Sequence, residues 1–150
     1  MFFPDLNAWL ALSVALFVSN HSHIAPAWNW LDRLGDDTRF IFPRYTQVGW
    51  LRLLTNVAVM GDQRLILGKA WGVYDRWLED PRVEFYPEPR EADSAYRKAT
   101  ELFAAKPASK WVGDYWLLAF ATGSRASLVT FDHALIEYAR KNGLAAVVPA

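Results

Sequence analysis

Three aspartates carry most of the chemistry this sequence offers: Asp5 in Phe2-Phe3-Pro4-Asp5-Leu6-Asn7, Asp114 in Trp111-Val112-Gly113-Asp114-Tyr115-Trp116-Leu117-Leu118, and Asp132 in Ser127-Leu128-Val129-Thr130-Phe131-Asp132. Each ends an apolar strand-like run or sits inside an apolar helix, where an ionised carboxylate is costly to desolvate unless a charge compensates it. Carboxylates gathered in one cleft raise one another's pKa until a divalent ion neutralises them. Hard oxygen donors with no histidine or cysteine among them select Mg2+ or Mn2+, and such ions hold a phosphodiester and activate a water for in-line attack. Each aspartate also has an architectural reading. Asp5 suits a strand-end Asx turn, Asp114 the first turn of a helix, where the macrodipole favours an acid, and Asp132 the N-cap of the helix that follows it.

The surrounding elements decide whether the three can meet. Apolar runs predict strands at 2–6, 38–42, 83–86, 127–131 and 144–148. Pro4 cannot donate a ladder hydrogen bond, so a bulge or an irregular start is expected in the first strand. Helical patterning predicts helices at 8–18, ended by Ser19-Asn20, and at 22–34, with Ser22 as N-cap and Pro26 in the first turn. Val48, Leu51, Leu54 and Val57 recur at helical spacing from Thr46, and 59–61 break the pattern. Further helices are expected at 64–78, 91–105, 111–121 and 133–141, the sixth ending at Gly123. Strands alternating with helices imply a parallel sheet covered on both faces, and in such sheets ligands collect at the carboxyl ends of strands. Asp5 and Asp132 fall at such ends, and Asp114 lies in a helical first turn that can point there.

Composition sets the outer limits. A chain of 150 residues, 53% hydrophobic and 21% charged, is long enough for one sizeable core, so a single domain over 1–150 is expected, with an aromatic core drawn from 8 Trp, 6 Tyr and 9 Phe. The tryptophans, Trp9, Trp28, Trp30, Trp50, Trp71 and Trp111 among them, are assigned to core or interface rather than to base stacking. Sixteen basic residues balance sixteen acidic ones, so no long-range attraction to a polyanion is encoded, and a nucleic acid must be met by a local patch. Arg44, Arg52, Lys110 and Arg125 are the candidates for phosphate contact. The absence of cysteine excludes disulfides, thiolate zinc sites and a cysteine nucleophile. The apolar stretch 8–18 is too short to cross a bilayer and no basic residue precedes it, so a buried helix and a cytoplasmic location are expected.

The order of these motifs resembles the PIN-domain ribonucleases: a strand ending in Asp-x-Asn, a middle helical region, Asp114 in Trp-x-x-Asp-x-x-Leu-x-Ala-x-Ala, then Thr130-Phe131-Asp132. Among these the chain looks most like the VapC toxins of type II toxin-antitoxin systems, and the segment Arg44-Tyr45-Thr46-Gln47-Val48-Gly49-Trp50-Leu51-Arg52-Leu53-Leu54-Thr55-Asn56 is similar to one branch of them. The resemblance implies a three-layer α/β/α fold around a mostly parallel five-stranded sheet. It also implies a Mg2+-dependent endoribonuclease, Mn2+ being an alternative ion, with Asp5, Asp114 and Asp132 as metal ligands and Asn7 and Thr130 orienting them. A VapB-type antitoxin and a homodimer are implied as partners. Many PIN domains carry a glutamate in the helix after the second strand, and 45–54 contains no acid; Gln47 or Gly49 falls nearest that register, and Gln47 offers a carbonyl oxygen but no charge.

Other chemistries find less support. His21 and His23 are spaced i, i+2, which does not place both on one helix face, and no third ligand follows at fixed spacing. Gly-x-Ser-x-Gly, Gly-x-Gly-x-x-Gly and P-loop patterns are absent. Two rivals stay open: a metal-dependent phosphohydrolase of small phosphoesters, and a non-catalytic PIN-like interaction module.

Overall fold

A computed structural model of the chain describes residues 1–14 and 23–150. The strands are β1 (Phe2–Pro4), β2 (Phe40–Phe42), β3 (Val83–Phe85), β4 (Ser127–Val129) and β5 (Ala146–Val147). The helices among the described residues are α1 (Leu6–Val14), α2 (Ile24–Asp32), α3 (Arg44–Leu54), α4 (Val57–Met60), α5 (Leu67–Leu78), α6 (Ala92–Thr100), α7 (Ser109–Ser124) and α8 (His133–Lys141). All strand pairs are parallel, in the order β3-β2-β1-β4-β5, which puts β1 at the centre.

Alternation along the strands builds three layers. Phe40, Phe42 and Val129 face a core made with α1, α2, α3 and α5. Phe3, Ile41 and Leu128 face the opposite core, made with α7 and α8. Helix α1 is apolar on every side and seven of its nine residues are buried, because the sheet, α2 and α3 enclose it. Its one buried hydroxyl is fully used: Ser13 donates to the Trp9 carbonyl (2.7 Å) and accepts from Trp77 Nε1 of α5 (2.9 Å).

Several boundaries differ from the sequence expectation, each for a local reason. No bulge forms at Pro4, which closes β1 in continuous register with Val129 of β4. Phe2 N–H donates to the Arg39 carbonyl (2.7 Å), and Pro4 has no N–H to continue that ladder, so the β1–β2 register is confined to Phe2 and Phe40. The strands stop early at Pro4 and Val129 because Asp5 and Asp132 start helices. Val57 belongs not to α3 but to α4, since Asn56 Oδ1 accepts from Ala58 N–H (2.8 Å) and caps a new helix, which runs to Met60 through the expected break. Helix α5 begins at Leu67 rather than at 64, after a 3-10 turn at Gly61–Gln63. Helix α6 ends at Thr100, followed by another such turn at Glu101–Phe103. Helix α7 starts two residues earlier than expected and runs through Gly123, where an added Cβ would meet Pro89 at 3.3 Å; the left-handed residue that stops it is Arg125 (φ 55°). Pro26 does lie in the first turn of α2. The expected stop at Ser19-Asn20, the Ser22 cap and His21 lie outside the described residues.

Candidate active site

Asp5 is the single residue between β1 and α1, and each of its polar groups is engaged. Its N–H donates to the Val129 carbonyl (2.8 Å) and its carbonyl accepts from Trp9 N–H (3.0 Å). Oδ1 accepts from Ala8 N–H (2.7 Å), making Asp5 the N-cap of α1, and Oδ2 accepts from the Thr130 hydroxyl (2.5 Å). The residue is only 5% exposed. Burial drives its pKa up to about 6, although the Thr130 hydroxyl and the Ala8 and Asn7 N–H groups pull it down; the nearby Asp132 charge adds to the rise.

Asp132 begins α8 as Asp5 begins α1. Its Oδ1 accepts from Ala134 N–H (2.9 Å) and Leu135 N–H (3.1 Å), and its own N–H donates to Thr130 Oγ1 (3.1 Å). Thr130 is fully buried and ties the two aspartates together, its hydroxyl donating to one and accepting from the backbone of the other. Asp132 is the N-cap its sequence suggested, and Asp5, expected in a strand-end Asx turn, caps α1 instead; both architectural roles are compatible with a functional one, since a cap uses one or two lone pairs and fixes where the others face.

Asp114 lies in the second turn of α7, not the first, because the helix begins at Ser109. Helix-end stabilisation fades within the first turn, which weakens the macrodipole reading of this residue. Asp114 is half-buried. Together with Asp5 and Asp132 it lines one cleft of about 530 Å3 at the carboxyl ends of β1 and β4. Asn7 lines the same cleft, exposed, and its backbone N–H reaches Asp5.

The facing wall is α3, which presents Arg44, Tyr45, Thr46, Val48, Gly49 and Arg52 and no acid. Gln47 does not line the cleft. It is 3% exposed, accepts a hydrogen bond from Arg44 Nη1 and meets the Tyr74 hydroxyl of α5, so it braces the wall from behind rather than standing in for a ligand. Gly49 does face the cleft and carries no donor. Lys110 is the second residue of α7, one turn before Asp114. Arg125, at the far end of α7, lines a different cleft with Tyr86 and Glu91. His23 stacks on Phe131 (4.2 Å between centroids).

Two features of the site have only a faint trace in the sequence. The Tyr45 ring packs on Trp116 of α7 (4.4 Å between centroids) and its hydroxyl sits over Gly113, where a Cβ would lie 2.8 Å from it. Thr46 is 1% exposed, lines the cleft, and has a hydroxyl with no hydrogen-bond partner among the described residues. Gly113 beside Asp114 is the one sequence signal that something approaches α7 closely there.

The candidate donors lining the cleft, three carboxylates and the buried unpartnered Thr46 hydroxyl, are all oxygen, a chemistry that suits a hard divalent ion. As placed, no three acidic, histidine or cysteine side chains among the described residues lie close enough together to share one ion. No helix among the described residues is long and apolar enough to cross a membrane.

No family model matches the chain. It is 35% identical over 144 residues to ribonuclease VapC41 of Mycobacterium tuberculosis, in strains CDC 1551 and H37Rv alike, an alignment covering 92% of this chain and 93% of the relative. Solved structures with the same fold include VapBC-1 from nontypeable Haemophilus influenzae (TM-score 0.67, 15% identity, covering 98% of this chain and 96% of that one). VapBC2 from Rickettsia felis, bound to a DNA fragment from its promoter, is another (TM-score 0.63, 15% identity, covering 98% and 97%). With that relative matched along nearly its whole length and the three-layer fold in place, the chain belongs to the VapC ribonucleases.

Proposed function

We propose that this protein is a divalent-metal-dependent endoribonuclease, the toxin of a toxin-antitoxin pair, acting at the cleft shared by Asp5, Asp114 and Asp132. The observation that carries the reading is Asp5 itself: a nearly buried carboxylate, its pKa raised to about 6, aligned by Thr130 and opening onto a cleft with two further carboxylates. Such a group gains most from a compensating cation. Asp5, Asp114 and Asp132 would hold Mg2+ or Mn2+, which supplies activation of water and offsets charge building on the phosphate. The chain's own work is positional. Thr130 and the Ala8 N–H fix Asp5, the first turn of α8 fixes Asp132, and Asn7 contributes its backbone N–H to the same arrangement. Arg44 and Arg52 border the cleft where RNA phosphates would lie.

The partners follow from the family. The structural neighbours VapBC-1 and VapBC2 support a VapB-type antitoxin for this chain, and we extend the proposal to a homodimer acting in the cytoplasm. The test is RNA cleavage by the purified protein with Mg2+, with Mn2+ and with EDTA, for the parent and for Asp5→Asn, Asp114→Asn and Asp132→Asn. Metal-dependent cleavage lost in all three variants, each still folded, supports the reading. Hydrolysis of an aryl phosphate without cleavage of RNA would point to a phosphohydrolase, and neither activity nor Mn2+ binding would point to an interaction module.

A further inference from the structure

The wall of the cleft that lacks an acid carries a fixed cation. Arg44, the first residue of α3, donates through Nη1 to Gln47 Oε1, and its guanidinium lies over the Phe85 ring of β3 with Cζ 4.8 Å from the centroid. Gln47 is in turn lodged against Tyr74 in the interior. An exposed arginine ordinarily samples many rotamers, whereas this one is held by an amide on one side and an aromatic face on the other. Neither contact cancels its charge. Neither the Arg82–Asp80 nor the Arg97–Asp93 ion pair involves Arg44. Beside it on the same wall stands Thr46 with its buried, unpartnered hydroxyl.

We propose that Arg44 is a substrate-binding residue that takes one RNA phosphate opposite the three aspartates, and that Gln47 is the positioning residue that holds it. This rests on the ribonuclease reading above. A cleft lined by three carboxylates in a chain of zero net charge repels a polyanion, so a local cation must offset that repulsion where the phosphate enters. The guanidinium fork matches two phosphate oxygens, and an orientation set in advance leaves less freedom to lose on binding. The neutral amide at position 47 is then essential. A glutamate there would hold Arg44 equally well but would neutralise it.

The experiment measures RNA binding to the Asp114→Asn protein in EDTA by fluorescence anisotropy across a salt series, with thermal melts as the check on folding. Losing one phosphate contact on single-stranded RNA should flatten the slope of log K against log salt by about 0.7. Arg44→Gln is expected to flatten it so, and Arg44→Lys to keep the slope with weaker binding. Gln47→Glu is the discriminating variant: it should melt no lower than the parent yet flatten the slope as Arg44→Gln does. Binding with the parent slope in Arg44→Gln or Gln47→Glu overturns the proposal, the more so if Gln47→Glu instead tightens Mn2+ binding, which would make position 47 a ligand site. Absence of RNA binding by the parent itself would overturn the ribonuclease reading, and this proposal with it.

Discussion

At the scale of single residues, Asp5 combines an architectural and a chemical role, and the two can be separated by pH. Its carboxyl is protonated in both folded and unfolded states below the ordinary value of 3.8. Between there and about 6 the unfolded chain gives up its proton first, so stability falls as pH rises through that window and levels off above it. Two units correspond to roughly 3 kcal/mol at most. Asp5→Asn keeps an oxygen to cap Ala8 and removes the charge, so in EDTA the variant should gain stability over the parent at pH 7.5 and match it near pH 4. Urea melts at the two values decide this, and an unchanged pH dependence in the variant would show that other groups cause it. Thr130 makes a second case. Thr130→Val is nearly isosteric but strips Asp5 Oδ2 of its donor and Asp132 N–H of its acceptor, so a loss of about 1–3 kcal/mol is expected at neutral pH. The loss should shrink near pH 4, where a protonated Asp5 no longer depends on that donor.

At the scale of elements, the cleft is a meeting of α3 with α7 across the ends of β1 and β4, and its width is set where Tyr45 rests on Gly113. In an isolated helix interior Gly→Ala stabilises by about 1 kcal/mol. Here the new methyl would displace the Tyr45 hydroxyl, so Gly113→Ala should gain markedly less in the parent than in a Tyr45→Phe background, which lacks that oxygen. A double-mutant cycle by thermal denaturation measures the difference, and equal gains in both backgrounds would rule out the close approach. The same wall bears on metal preference. Because α3 offers arginines, a threonine and a glycine to the cleft and turns Gln47 away, one acidic ligand of many PIN domains has no replacement. Mn2+, which tolerates imperfect ligand sets, should therefore support cleavage better than Mg2+ at equal concentration. Full activity at micromolar Mg2+ with no gain from Mn2+ would contradict this.

At the scale of the whole molecule, the two cores on opposite faces of one parallel sheet hold the carboxyl ends of β1 and β4 side by side, and the cleft opens to solvent between α3 and α7. Among the described residues Asp114 is half-buried and Asp132 exposed where they line the cleft, which leaves it accessible to RNA, so expression of the chain alone should arrest growth, and co-expression of the proposed antitoxin should relieve the arrest. A cationic side chain, arginine above all, would suit the acidic side of the cleft. Growth of cells carrying the parent or Asp5→Asn, each with and without a co-expressed VapB-type antitoxin, reads this directly. Arrest by Asp5→Asn equal to that by the parent would separate toxicity from the acidic site.

The sequence by itself determined the parallel α/β architecture, because strand-like and helix-like apolar periods alternate along it, and it marked Asp5 and Asp132 because a carboxylate ending an apolar strand is conspicuous. Thr130 entered through the resemblance to the PIN-domain ribonucleases, as a residue orienting the aspartates, and its hydrogen bonds to Asp5 and Asp132 give that role a geometry. Helix ends were less legible: they turn on single hydrogen bonds, such as Asn56 to Ala58 and Asp5 to Ala8, which leave the hydrophobic period almost unchanged. Only the tertiary structure decided which side of α3 meets the cleft. Helical neighbours differ by about 100° in direction, so Thr46 and Gln47, adjacent in sequence, end on opposite errands, one lining the cleft and the other bracing Arg44 against the core. That choice depends on Leu6, Tyr74 and Phe85, residues far apart in the chain that pack around α3 only once the sheet has assembled.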